Sequence, residues 1–341
     1  MKEDCKGLTR RQFVKGSVAV AGAGMLWGLP LREAFAAYPD RTIKVVIPTG
    51  QGGSADRLAR TFTDIWKKSL GVGFEYDFFP GAGGQVGYET YIGRRDHDAY
   101  NLLFGNMGAE MIMYALQEPK YKFPADYLYF CRIDIDDSCL YVRKDSPFRT
   151  IEDVVAEGKK RPVTTATSRL PHPASIGVLA LGEATGAKFN LIPYGGGNPT
   201  NVAVLNGEAD CGVLPTANPI SMGDSFRILT VFNRVNKLAK LTGNAPPVNK
   251  VFGTKIPDLY SSRSWAIHTD AVQKYPDRFE KLNKTAKLVF DDPAYKEGYL
   301  KTGAPFETIE YGDRAVCTEY ALAMVDLAKK YRSVLTAKKK K

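Results

Sequence analysis

The chain has 341 residues, 44% of them hydrophobic and 25% charged, with a formal net charge of +10. That length and apolar fraction support one large or two ordinary domains with real cores. Four of the positive charges are the terminal lysines at 338–341, which read as a solvated end and not as a nucleic-acid arm, so no nucleic-acid partner is expected and the modest positive field suits a small anionic ligand.

The first segment reads as a leader. Arg10 and Arg11 precede Phe13 and Lys15, residues 18–29 are apolar, and Ala34-Phe35-Ala36 is a small-x-small cleavage site. The pattern is that of a twin-arginine (Tat) signal peptide over residues 1–36. Its apolar stretch falls short of the roughly 20 residues a bilayer span needs, and no second long apolar run follows. The expectation is export to the periplasm by the twin-arginine route, cleavage after Ala36, and a mature protein that is not membrane-embedded. Residues 1–36 carry a net +3, which leaves +7 on the remainder.

Residues 43–47 (IKVVI) make a short β-branched strand, and the glycine turn PTGQGGS at 48–54 follows. A helical pattern over 55–70 places Leu58, Ala59, Phe62, Ile65 and Trp66 on one face. Residues 74–78 alternate like a strand, PGAGG at 80–84 makes a second glycine turn, 86–94 is helical, and 100–104 is a third strand. Strand, glycine turn and helix, repeated, argue for a parallel α/β sheet. Further strands are expected at 129–135, 140–142, 163–166, 211–214 and 226–232, and helices at 174–184, 201–206, 276–290 and 314–331. Thr150, three residues before Asp153, is a capping residue for another helix. A middle segment that leaves and returns predicts two lobes, residues 37–131 plus 232–341 and residues 132–231, each a central sheet flanked by helices.

Cys131, Cys139, Cys211 and Cys317 follow the leader, and their pairing is open between disulfides and buried thiols. His97, His172 and His268 stand at no metal-ligand spacing, so no metal is expected. The sequence shows no Ser-His-Asp signature, CxxC pair, P-loop lysine or GxGxxG spacing, so neither catalytic residues nor a cofactor are expected. The glycine turns have a different use. In an open α/β sheet they lie beyond the strand ends, where a helix start offers unpaired N–H groups to an anion. Asp56 is expected to pair with Arg60 at i+4 or to reinforce the cap.

Pro48, Gly52-Gly53, Asp56 and Ala59-Arg60, then Pro80-Gly81-Ala82-Gly83-Gly84, resemble the substrate-binding proteins of tripartite tricarboxylate transporters, the Bug family. Tyr38-Pro39-Asp40-Arg41, Tyr194-Gly195-Gly196, Leu205-Asn206-Gly207-Glu208-Ala209-Asp210 and Tyr275-Pro276-Asp277-Arg278-Phe279 extend the likeness in order along the whole mature chain. The resemblance implies an α/β, two-lobed periplasmic binding protein fold (type II-like) that closes on a small organic carboxylate, a dicarboxylate by preference, aliphatic or aromatic. Carried over residue by residue, it implies ligand contacts from Thr49, Gly50, Gln51, Gly53 and Ser54, from Ala82, Gly83 and Gly84, and from Asn106 in the first lobe. In the second lobe it implies Thr167, Ser168, Arg169, Tyr194, Gly195 and Asp210. Ser168 to Pro173 departs from the family's small, glycine-containing run, and Arg169 brings a guanidinium fork suited to a second carboxylate.

The implied partners are the carboxylate and the membrane transporter subunits, with the receptor a monomer. Two alternatives stay open. A ligand-sensing subunit for a membrane signalling protein would share fold and pocket, and a periplasmic enzyme would show turnover.

Overall fold

A computed structural model describes residues 38–336. The leader and the lysine tail lie outside the described residues. The chain opens with β1 (Ile43–Ile47), α1 (Ser54–Leu70), β2 (Phe74–Phe78), α2 (Gln85–Arg94), β3 (Asn101–Asn106), α3 (Met107–Gln117) and β4 (Tyr127–Asp134). It then builds β5 (Asp136–Arg143), α4 (Ile151–Lys160), β6 (Val163–Thr167), α5 (Pro173–Thr185), β7 (Phe189–Pro193), α6 (Gly197–Leu205), β8 (Cys211–Pro215), α7 (Ala217–Ile220), β9 (Phe226–Val231), α8 (Val248–Phe252) and β10 (Tyr260–Ser261). It closes with β11 (Arg263–His268), α9 (Thr269–Lys274), α10 (Pro276–Leu288), α11 (Pro293–Leu300), β12 (Ile309–Gly312), α12 (Arg314–Lys330) and α13 (Arg332–Thr336).

These strands form two sheets, the first in the order β12-β4-β11-β3-β1-β2 and the second β10-β5-β8-β6-β7 with β9 also on β5. Each sheet carries one lobe of a two-lobed α/β fold. The strand–turn–helix repeats give the parallel pairs β1/β2, β1/β3, β6/β7 and β6/β8. The sheets are mixed, because β11 pairs antiparallel with β3 and β4 and β12 with β4 in the first, and β5 pairs antiparallel with β8, β9 and β10 in the second. The cause is the passage between them. Only Ile135 separates β4 from β5, so one extended run serves both sheets and opposes its neighbours in each.

The return passage is Ser262, between β10 on the second sheet and β11 on the first. It therefore lies later in the chain than the strand at 226–231, which stays paired with β5. The two passages are tied together: Ser262 Oγ donates to the Asp134 carbonyl at 2.9 Å, and the Arg263 amide donates to Asp134 Oδ1 at 2.6 Å.

The core follows from the same patterns. The apolar stripe of α1 buries Leu58, Ala59, Phe62 and Trp66 against Trp265 of β11, with Phe62, Trp66 and Trp265 ring centroids 5.2–5.7 Å apart. Burying each such side chain stabilises the fold by about 1.5–3 kcal/mol. Thr150 and Asp153 form the reciprocal cap of α4, at 3.3 Å and 2.9 Å. Among the described residues Cys131, Cys139, Cys211 and Cys317 are free and buried, and burial pushes the Cys211 thiol up to about 12 and that of Cys317 to about 11.

Candidate functional site

Two helix starts from different sheets meet. The β1 strand ends at Ile47 and the glycine turn delivers the chain to α1, whose N-cap Gly53 is extended and makes no side-chain cap. In the second lobe β7 ends at Pro193 and α6 begins behind Gly196, also without a side-chain cap. A Cβ on Gly53 would stand 4.0 Å from the Gly197 amide nitrogen. Ser54 Oγ donates to Asn218 Oδ1 across the gap at 2.6 Å. Between the two starts lies a cavity of about 40 Å³. A helix start has N–H groups without intrahelical partners and carries the positive end of its dipole, and two such starts line this cavity, which is the electrostatics of an anion site. Asp56 stays out of it as expected, accepting from the Gly52 amide at 2.9 Å and from Arg60 Nε at 2.6 Å.

A third helix start borders the cavity, but it is closed. His172, buried, accepts the Ala174 amide on Nδ1 at 3.1 Å and so caps α5. Burial, with Arg169 and Arg263 nearby, holds its pKa well below the usual imidazole value, so the ring is neutral. Its Nε2 stands 3.4 Å from Ser261 Oγ and 3.5 Å from Asn106 Nδ2. Asn106 in turn caps α3 through Ala109 N at 3.4 Å.

Both arginines at the cavity already have protein partners. Arg169 Nη1 crosses between the lobes to the Gly83 carbonyl at 2.8 Å and lies 3.6 Å from Glu110 Oε1. Glu110 is buried, its Oε2 accepts from Tyr88 at 2.8 Å, and burial raises its pKa. Arg263 is buried between Asp134, which it contacts closely, and Asp136 at 3.3 Å. Burial outweighs the Arg263 charge and moves the Asp134 carboxyl up to about 6. Asp136 also accepts from Thr216 Oγ1 at 2.8 Å and from the Ala217 amide at 3.1 Å, so Arg263 links both lobes at the passage. The Ser54 hydroxyl, which reaches the other lobe at the cavity, donates to an amide oxygen and not to a base.

Of the residues expected from the sequence, Thr49, Gly50, Gly53, Ser54, Asn106, Ser168 and Arg169 line this inner cavity. Ala82, Gly83, Gly84 and Gly195 line an adjoining outer chamber of about 410 Å³, which shares Thr49, Ser168 and Arg169 with the first. Gly83 and Gly84 have φ of +69° and +112°, and a Cβ on Gly83 would meet Pro171 Cγ of the other lobe at 2.9 Å, so glycine is required there.

Four of the expected residues lie outside both spaces. Gln51 is exposed and lines neither space. Thr167 lies beneath the loop, its hydroxyl bonded to the Arg169 carbonyl at 3.2 Å and to Ser175 Oγ at 2.9 Å. Tyr194 lines neither space, with its hydroxyl 3.4 Å from Glu208. Asp210 precedes β8, whereas the cavity touches Leu214 and Pro215 at the other end of that strand. Its carboxylate binds Arg161 twice, at 2.8 and 3.0 Å, and the Thr164 amide at 2.8 Å.

His172, Gly196, Gly197, Asn218 and Arg263 line the cavity without having been expected from the sequence. The glycines after Tyr194 were a legible signal. Arg263 was not, because a cation inside a strand reveals its role only through partners far away in the chain.

Residues 58–313 match the family described as "Tripartite tricarboxylate transporter family receptor". A relative from Agrobacterium vitis, "UPF0065 protein in the TAR-I ttuE-ttuC' intergenic region", is 26% identical over 278 residues, covering 80% of this chain and 78% of the relative. Among solved structures, MatC from Rhodopseudomonas palustris with bound malate is similar at a TM-score of 0.72 and 18% identity, over 87% of this chain and 100% of that one. A second R. palustris protein, solved with adipate, is similar at 0.74 and 18% identity, over 87% of this chain and 98% of that one.

Proposed function

The chain belongs to the tripartite tricarboxylate transporter receptor family, and from that premise we propose that it captures a small organic carboxylate in the periplasm and delivers it to a tripartite membrane transporter. The observation that carries the reading is the pair of uncapped helix starts, Gly53-Ser54 and Gly196-Gly197, which face one cavity from opposite sheets. A carboxylate has two acceptor oxygens with which to satisfy both starts at once, and charge-assisted hydrogen bonds to backbone amides are the stronger kind. The malate and adipate bound by the two structural neighbours are carboxylates.

Closure moves the two sheets about the passages at Ile135 and Ser262. The ligand favours the closed arrangement to the extent that it contacts both lobes there. A micromolar complex corresponds to about 8 kcal/mol, which a few such bonds and some buried ligand surface supply after the cost of association. A thermal-shift screen of mono- and dicarboxylates tests the reading: at least one acid raises the melting temperature in a dose-dependent way. Silence across aliphatic and aromatic acids alike counts against it.

A further inference from the structure

The inner cavity and the outer chamber differ in chemistry. The inner one is bordered by helix starts. The outer chamber, about 410 Å³, falls within the range of roughly 300–1,000 Å³ usual for small-molecule sites. Prolines face it from both lobes, Pro48 and Pro80 from the first and Pro171 and Pro193 from the second, and Leu170 leaves 41% of its surface exposed there.

Arg169 is the charged residue on its lining. It stands where the two spaces meet, and Nη1 is engaged by the Gly83 carbonyl with Glu110 behind it. The glycine turn offers little more, since the Gly84 amide donates to the Gly81 carbonyl and the Gln85 amide to Ala82. Gln117, exposed at the end of α3, adds an uncharged amide. A carboxylate entering this chamber gives up hydration and meets a single charged side chain on the lining, Arg169, whose Nη1 is already committed to the Gly83 carbonyl beside Glu110, which is unfavourable. An apolar group gains from the same walls.

We infer that the ligand is a monocarboxylate with an apolar body. Its one carboxylate lies between the two helix starts, and its hydrocarbon part extends alongside Arg169 into the proline-walled chamber. The inference rests on the carboxylate reading above and replaces the dicarboxylate preference that the sequence implied. The contact of Arg169 is the reason: one arm of the fork expected to hold a second carboxylate already holds the other lobe, with the Glu110 carboxyl behind it.

Hexanoate and adipate make the test, because they share a six-carbon chain and differ by one terminal carboxylate. Isothermal titration of the purified protein is expected to give hexanoate an affinity at least tenfold above that of adipate, with 3-phenylpropanoate on the hexanoate side. Gln117→Lys, at an exposed position, places a cation on the chamber wall and is expected to raise adipate affinity about tenfold while leaving the melting temperature of the ligand-free protein unchanged. Adipate binding as tightly as hexanoate, or a Gln117→Lys protein with unaltered adipate affinity, overturns the inference and leaves the carboxylate reading standing. No heat with any mono- or dicarboxylate overturns both.

Discussion

Ser54 and Asn218 meet across the two lobes, hydroxyl to amide oxygen, at 2.6 Å. Ser54 is the first residue of α1, and Asn218 lies in α7, beside the strand end that borders the cavity. The bond exists only while the lobes are together, so it belongs to the closed state alone. A neutral hydrogen bond contributes about 0.5–1.5 kcal/mol net. Ser54→Ala is therefore expected to weaken carboxylate binding by about three- to tenfold. Its melting temperature without ligand should stay close to that of the parent, because Ser54 is only half-buried and belongs to no hydrophobic cluster. Titration calorimetry paired with a thermal melt separates the two quantities, and an equal fall in both would assign the bond to folding instead of closure.

Glycines on the two sides of the gap are expected to respond differently to one methyl group. A Cβ on Gly197 meets Asn218 Oδ1 at 2.6 Å, too close to be accommodated without moving the partner of Ser54. A Cβ on Gly53 finds only ordinary contacts, at 3.7 and 4.0 Å, but it occupies the space between the two helix starts. Gly197→Ala is expected to displace Asn218 within the second lobe and so break its bond to Ser54, lowering affinity about as much as Ser54→Ala does, which titration calorimetry would register. Gly53→Ala is expected to leave the shape unchanged and to lower affinity at least tenfold by filling the anion position. Full affinity in Gly53→Ala would remove the helix-start site.

The contrast between these residues and Arg263 shows what a sequence makes legible. A glycine turn between a strand and a helix is a local pattern, so Thr49 to Ser54 and Ala82 to Gly84 could be placed at the strand ends from periodicity and turn chemistry alone. The α3 helix was not legible, because it follows β3 without an intervening residue and the apolar run continues through both. β11 was hidden for a related reason. All of Arg263–His268 is buried, and its meaning lies in antiparallel pairing with β3 and β4, more than a hundred residues earlier. Asp210 misled because a motif match fixes position in the chain and not which end of a strand faces the ligand.

Arg169 and Glu110 are expected to act as one unit in stability. Glu110 Oε1 has no hydrogen-bond partner and depends on the guanidinium 3.6 Å away. Arg169→Ala leaves a buried carboxyl without its counter-charge, which costs about 3 kcal/mol when the group cannot shed its charge. Burial already raises the pKa of Glu110, and loss of the cation raises it further, so the acid escapes by taking a proton at low pH. The destabilisation by Arg169→Ala is therefore expected to be larger at pH 8 than at pH 5. In a Glu110→Gln background it should shrink and lose its pH dependence. A double-mutant cycle by urea unfolding measures the coupling, and additive effects at both pH values would show the two side chains to be independent.

Asp137 gives the stability of the fold an unusual pH slope. Burial, then the neighbouring Asp136 charge, push its carboxyl up to about 7 against the pull of Lys237. The unfolded chain holds that proton with a pKa of about 3.9. Because the folded value is the higher one, the folded state binds the extra proton. This contribution is complete below about pH 4 and is lost as pH rises through 7. His268 works in the opposite sense: burial lowers its pKa to about 4, so its contribution grows as pH rises from about 4 to 6.5. The wild-type profile mixes the two, and Asp137→Asn separates them. The amide oxygen can still accept from Asn233, which is bonded to Asp137 Oδ1 in the folded state. The variant's stability relative to the parent is expected to rise between pH 4.5 and pH 8, by at most about 4 kcal/mol if the whole shift is expressed. Urea midpoints at pH 4.5, 6 and 8 measure it. A difference that stays flat would mean that Asp137 ionises at its ordinary value, with water reaching the carboxyl behind the passage at Ile135.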